Sequence, residues 1–155
     1  MQSISSSGSI TFEKAPHLKV ISSLGKGAFG LLLKAKNEQT NSEVALKIES
    51  KQAKHSVLEK EYKFYKYFLD GNAPLIGIPL IHSKFEEENS TVLEMELLGR
   101  DLDSLFVACK ERFSLKTVLL IADQILTRLE FVHNHGVIHR DIKPSNIMFH
   151  KNQLK

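Results

Sequence analysis

The segment "HRDIKPSN", residues 139–146, decides how the rest of the chain is interpreted. It matches the spacing H-R-D-x-x-x-x-N in full and places a carboxylate, an ammonium group and an amide oxygen within a few residues. Phosphoryl transfer depends on positioning and charge neutralisation more than on covalent chemistry by the protein, and these groups supply both. The segment therefore predicts phosphoryl transfer, in which Asp141 accepts a hydroxyl proton, Lys143 neutralises phosphate charge and Asn146 holds a magnesium ion.

A second motif, "EVALKIE" at residues 43–49, is an apolar strand that carries the single lysine Lys47. It matches the pattern V-A-I-K, in which the ammonium holds nucleotide phosphates and pairs with a glutamate from the next helix. Glu61 lies on the apolar stripe of that predicted helix, where an unpaired carboxylate would be costly, so we expect it to be the partner. Glu59 falls off the stripe and is the weaker candidate.

A glycine-rich segment, "LGKGAFG" at residues 24–30, matches G-x-G-x-x-G with Gly25, Gly27 and Gly30. The residues that follow, "LLLKAK", have strand character, whereas a dinucleotide-binding fold would open a helix there. The segment therefore favours a hairpin flap whose backbone amides approach phosphate oxygens without an intervening Cβ. A glycine-rich turn without a ligand is the alternative for this segment taken alone.

The periodicity of the chain changes near Leu98, from strands around one helix to helices. We predict a three-stranded antiparallel meander, a helix that stops at Gly71 and Asn72, and two further strands around an acidic turn. The second part contains a short helix and a long one, with Ser114 as N-cap and Gly136 as C-cap. The predicted fold class is α+β, with a five-stranded antiparallel sheet and one helix followed by a helical part.

Composition narrows the possible partners. The chain has 155 residues, is 42% hydrophobic and 25% charged, and carries a net charge of +3. It has no nucleic-acid-binding motif, no signal peptide and no apolar run of the ~18 residues that a membrane helix needs, so we expect neither nucleic acid nor membrane as partner and a cytoplasmic or nuclear location. A single cysteine, Cys109, excludes an internal disulfide, and its apolar surroundings predict a packed or half-buried thiol.

Together these motifs resemble those of a protein kinase, specifically of the casein kinase I family of serine/threonine kinases. The resemblance extends from Leu18 to Lys155 and is closest in "KHSVLEKEYKFYK", "LLGRDLDSLF" and "FSLKTVLLIADQILTRLEFVHNHGVIHRDIKP". It implies a kinase N-lobe at residues 17–98 and the start of a C-lobe at residues 99–155. The Ser-rich start of the chain predicts a disordered tail at residues 1–16.

The resemblance also implies a set of site residues. Met95 would be the gatekeeper beside the adenine, and the Glu96 carbonyl and Leu98 amide of the hinge would contact the adenine edge. The implied cofactors are ATP and Mg²⁺, and the implied substrates are protein serines or threonines, often with acidic or phosphorylated flanks. The ATP-binding residues implied in full are Leu24, Gly25, Lys26, Gly27, Ala28, Phe29, Gly30, Leu32, Lys47, Glu61, Met95, Glu96 and Leu98.

One feature departs from the family pattern at the end of the chain. Kinases carry an Asp-Phe-Gly segment after the catalytic loop, and this chain ends at Lys155 before that segment appears. We therefore expect an N-terminal fragment of a kinase that is weak or inactive alone. The alternative is a truncated, non-catalytic protein that binds a nucleotide or a partner. The oligomeric state is left open.

Overall fold

A computed structural model describes residues 10–27, 30–53, 56–71 and 77–151. The chain divides into two compact units, residues 1–97 and 98–155, which we call the sheet unit and the helical unit. No helix within the described ranges is long and apolar enough to cross a membrane.

The sheet unit contains a five-stranded sheet in the order β1-β2-β3-β5-β4. Every neighbouring pair is antiparallel, which confirms the predicted meander and fold class. Side chains alternate between two faces along each strand. The strands are β1 Leu18–Gly27, β2 Gly30–Asn37, β3 Ser42–Ser50, β4 Ile81–Glu86 and β5 Ser90–Glu96.

One face of the sheet is covered by the residues that precede β1. Phe12 and Ala15 are buried there against Val44 and Leu46, and the Phe12 ring meets the edge of Phe85 with centroids 5.7 Å apart. The predicted tail at residues 1–16 is therefore wrong for residues 10–16, because these apolar side chains have a sheet face to cover. Residues 1–9 lie outside the described part of the chain.

The opposite face packs against helix α1, Val57–Asp70, which buries Leu58 and Phe68. Ser56 caps its first turn by accepting a hydrogen bond from the Glu59 amide. The helix ends at Gly71, as predicted, and the second predicted stop residue, Asn72, lies outside the described residues.

The helical unit contains α2, Leu102–Ala108, α3, Leu115–Asn134, and a short 3₁₀ turn, Pro144–Asn146. Ser114 caps α3 as predicted, whereas its C-cap is His135, one residue before the predicted Gly136. Gly136 takes the left-handed conformation (φ 74°) that follows many helix ends. No residue of α3 is buried.

Cys109 is exposed, so the prediction of a packed or half-buried thiol is wrong. It is the C-cap of α2, and the backbone turns immediately after it through left-handed conformations at Lys110 and Glu111. The apolar residues before Cys109 belong to the helix, but Cys109 itself lies where the helix ends.

Candidate active site

An ion pair links the sheet to α1. Lys47 on β3 lies with its Nζ 2.5 Å from Oε2 of Glu61, as predicted, and both side chains are half-buried. The Tyr65 hydroxyl donates to the other carboxylate oxygen of Glu61 at 3.4 Å. Burial, reinforced by the charge of Glu61, raises the pKa of Tyr65, so this phenol stays protonated and remains a donor. Glu61 is thus held between a cation and a neutral donor.

Glu59, the weaker candidate, pairs with a different lysine. Its carboxylate accepts a short hydrogen bond from Lys84 on β4, and this contact lowers the pKa of Glu59. The Lys84 ammonium also lies 5.1 Å from the ring centroid of Tyr62. Sequence reasoning missed Lys84, because only the strand register places it opposite Leu93 on the face that packs against α1.

The residues predicted to surround the adenine lie partly on this same face. Leu32 and Met95 both pack in the core cluster beneath α1. Leu32 is the direct cross-strand neighbour of Lys47. Glu96 ends β5, where its amide donates to the Leu80 carbonyl at 2.8 Å. The boundary between the two units follows residue 97 and so falls within the predicted hinge, which leaves Leu98 as the first residue of the helical unit.

The glycine-rich segment forms the β1–β2 hairpin, with Gly25 opposite Leu32 and Gly27 opposite Gly30. Gly30 has a φ of 138°, and a Cβ placed on it would lie 2.0 Å from the Ile48 carbonyl oxygen. This position therefore requires glycine for the fold itself.

The other predicted residues of this hairpin separate into two groups. Leu24 and Lys26 are exposed on β1. Ala28 and Phe29, the remaining two, lie outside the described residues.

The loop at residues 139–146 brings its three predicted groups together. Asp141 Oδ2 lies 3.0 Å from Lys143 Nζ and accepts a hydrogen bond of 2.8 Å from the Asn146 side-chain amide. Both hydrogen bonds lower the pKa of Asp141, and the one from Lys143 has the larger effect. The carboxylate is therefore ionised at neutral pH. The Asp141 amide also donates a hydrogen bond to His139 Nδ1 at 3.2 Å.

Residues 147–149, directly after this loop, are anchored by residues 99–102. The Gly99 amide donates to the Phe149 carbonyl at 2.7 Å, and the Leu102 amide donates to the Ile147 carbonyl at 2.8 Å. Asp101 forms a β-bridge with Met148 and also caps α2 through the Ser104 amide. The segment "GRDL" at residues 99–102 therefore fixes the end of the loop, a long-range role that sequence reasoning missed.

The donor set of the loop fits magnesium. Within the described ranges no group of three or more histidine, cysteine, aspartate or glutamate side chains could hold a metal ion by itself. Mg²⁺ needs no such group, because it is commonly held by one or two protein oxygens together with substrate phosphates and water. The side-chain oxygen of Asn146 is a hard ligand of this kind.

A comparison with known families matches most of the chain. The family model of the protein kinase domain matches residues 18–155. The matched range contains every strand and helix of the described residues, the Lys47–Glu61 pair and the loop at residues 139–146. Both motifs therefore lie inside one family domain.

Proposed function

The chain belongs to the protein kinase domain family, and from that premise we propose that it is an ATP-dependent serine/threonine kinase of the casein kinase I type. The observation that carries the proposal is the ion pair between Lys47 and Glu61. In kinases this lysine contacts the α- and β-phosphates only when the helix glutamate holds it.

We assign the nucleotide to the face of the sheet unit that carries Lys47. The half-buried ammonium is restrained by Glu61 on one side and retains solvent exposure through which phosphate oxygens can approach. Leu32 and Met95 offer apolar contacts on that face for the adenine ring. The backbone of the hinge, Glu96 to Leu98, would supply the hydrogen bonds to the adenine edge.

We assign phosphate transfer to the loop at residues 139–146. The hydroxyl oxygen of a substrate serine or threonine attacks the γ-phosphorus, the bond from the γ-phosphorus to the β–γ bridging oxygen breaks, and ADP leaves. Asp141 accepts the hydroxyl proton, for which it is suited because its lowered pKa keeps it ionised. Lys143, 3.0 Å from Asp141, neutralises charge on the transferring group. Asn146 would hold magnesium, which supplies charge neutralisation at the phosphates when bound.

The preference for serine or threonine rests on the resemblance to casein kinase I enzymes, as does the expectation of acidic or phosphorylated residues beside the target hydroxyl. A location in the cytoplasm or nucleus is part of the same proposal. It is supported by the single cysteine, which fits a reducing compartment.

Phosphate transfer tests this proposal. The chain is incubated with γ-labelled ATP, Mg²⁺ and dephosphorylated casein, beside the variants Asp141→Asn and Asp103→Asn. Because we expect this chain to be weak or inactive alone, any label on serine and threonine should be low. It should fall to background with Asp141→Asn and persist with Asp103→Asn, an exposed aspartate in the first turn of α2. Label confined to tyrosine, or transfer unaffected by Asp141→Asn, would contradict the proposal.

A second candidate is a non-catalytic module that binds nucleotide through the sheet unit. It is favoured by the distribution of buried side chains, because Leu102 is the one buried residue that the described part of the helical unit contributes. This candidate would be supported over the kinase if ATP bound at Lys47 but no phosphate transfer depended on Asp141.

A further inference from the structure

A second acidic residue of β3 contacts α1. Glu49 follows Lys47 by two positions, so both side chains point to the face that packs against the helix. Glu49 is buried, with 5% of its surface exposed. Its carboxylate accepts hydrogen bonds from the Ser56 hydroxyl at 2.9 Å, the Val57 amide at 2.9 Å and the Leu58 amide at 3.2 Å.

These contacts determine where α1 begins. The first amides of a helix have no partner within the helix and must find one elsewhere. Glu49 satisfies the amides of Val57 and Leu58, and the Ser56 hydroxyl accepts from the Glu59 amide at 3.3 Å. A buried carboxylate is costly unless it is hydrogen-bonded, and the positive end of the helix dipole is a favourable place for it. Glu49 and the start of α1 therefore stabilise each other.

The contact between Glu49 and the first turn of α1 lies close to the ion pair between Lys47 and Glu61, as the spacing along β3 and α1 shows. Lys47 and Glu49 are two residues apart on β3, so their positions along the strand differ by about 6.7 Å. Leu58 and Glu61 are three residues apart on α1, so their positions along the helix axis differ by about 4.5 Å. One strand thus holds α1 at its first turn through Glu49 and one turn later through Lys47. A shift of the helix start by one residue would rotate Glu61 by about 100° away from Lys47.

We propose that Glu49 is a positioning residue that sets the start and rotation of α1, so that Glu61 meets Lys47. The structural part of this inference concerns the ion pair alone. Its consequence for catalysis rests on the proposed kinase function, because only there does the position of the Lys47 ammonium matter.

The experiment measures the coupling between Lys47 and Glu61 in the presence and absence of the cap. All three tyrosines of the chain, Tyr62, Tyr65 and Tyr67, lie in α1, and the chain has no tryptophan, so tyrosine fluorescence during urea unfolding reports on this helix. A double-mutant cycle of Lys47→Met and Glu61→Gln gives the coupling of the pair. The cycle is repeated in the full chain carrying Glu49→Ala, Glu49→Gln or Glu43→Gln.

We expect the coupling to be lost with Glu49→Ala and partly retained with Glu49→Gln, whose amide oxygen can still accept from the amides of Val57 and Leu58. Hydrogen exchange at those two amides should rise roughly fivefold with Glu49→Ala, the effect of losing a helix cap. Glu43→Gln is the matched control, because Glu43 lies on the same strand and pairs with Lys34 at 2.6 Å. It should leave both the coupling and the exchange unchanged.

Full coupling with Glu49→Ala would overturn the inference. If that variant does not fold, Glu49→Gln decides the question, since unchanged coupling together with unchanged amide exchange would also overturn it. The cycle is measured without nucleotide, so a chain that transfers no phosphate could still show coupling that depends on Glu49. Failure of the proposed function and failure of this inference are therefore distinguishable.

Discussion

The carboxylate of Asp141 lies 3.0 Å from the ammonium of Lys143, and this hydrogen bond is the main reason why the pKa of Asp141 is below its ordinary value of 3.8. Replacing Lys143 by methionine should therefore raise the pKa of Asp141 towards 3.8, with the hydrogen bond from Asn146 still opposing part of the rise. Carboxyl NMR titration of both proteins measures the shift.

The sign of this effect determines its consequence for catalysis. A lowered pKa keeps Asp141 ionised as the pH falls towards 3.8, so protonation of Asp141 should not limit phosphate transfer near neutral pH. Lys116→Met, a change in the first turns of α3, is the control and should leave the titration of Asp141 unchanged. A wild-type pKa at or above 3.8 would contradict the described geometry.

Two glycines of the glycine-rich segment should respond differently to substitution. Gly30→Ala places a Cβ 2.0 Å from the Ile48 carbonyl oxygen at a φ of 138°, whereas a Cβ on Gly25 meets nothing within 4 Å. We expect Gly30→Ala to lower the free energy of unfolding of the sheet unit by about 1–3 kcal/mol or more. Gly25→Ala should be neutral or slightly stabilising. Urea unfolding followed by tyrosine fluorescence compares them, and equal effects would refute the assignment of Gly30.

The pairing of Glu59 with Lys84 should make part of the stability depend on pH. Because the pKa of Glu59 in the folded chain is below the ordinary 4.5, its contribution is present above pH 4.5 and is lost as the pH falls through the folded value. Glu59→Gln should thus lower the melting temperature at pH 7 and change it little at strongly acidic pH. Glu38→Gln, which removes a more exposed pair with Lys19 at 4.0 Å, should have a smaller effect at pH 7.

Replacing a buried leucine by alanine should lower the free energy of unfolding more than replacing an exposed one. Leu93 is fully buried in the cluster beneath α1, and Leu119 on α3 is 60% exposed. Leu93→Ala should lower the free energy of unfolding by about 2–5 kcal/mol, whereas Leu119→Ala should change it by about 0.5 kcal/mol or less. Denaturant titrations provide both values. A small effect at Leu93 would show that the cluster beneath α1 is not a packed core.

Local patterns in the sequence were sufficient to predict the strands, the helix α1 and one long-range contact. Side-chain periodicity predicts all five strands and α1, because it depends on neighbours only a few residues away. The pairing of Lys47 with Glu61, rather than with Glu59, followed from the position of Glu61 on the apolar stripe of the helix. Such a stripe faces the sheet, so it also faces the lysine.

The contacts that the sequence did not predict depend on strand register and on the packing of distant segments against each other. Lys84 and Glu49 contact α1 because the sheet order and register place them under it, and no local spacing states that order. The burial of Phe12 depends on a sheet face that forms far along the chain. The anchoring of residues 147–149 by residues 99–102 is likewise a contact between distant segments.

The central claim, that Lys47 holds nucleotide phosphates while Glu61 positions it, is tested most directly by lysine acylation read by mass spectrometry. Lys34 is the internal control, because it lies on the neighbouring strand in a similar ion pair, 2.6 Å from Glu43. We predict that ATP with Mg²⁺ protects Lys47 from acylation, that Lys34 is unaffected, and that Glu61→Gln weakens the protection. Equal acylation of Lys47 with and without ATP, in a folded chain at saturating nucleotide, would contradict the claim.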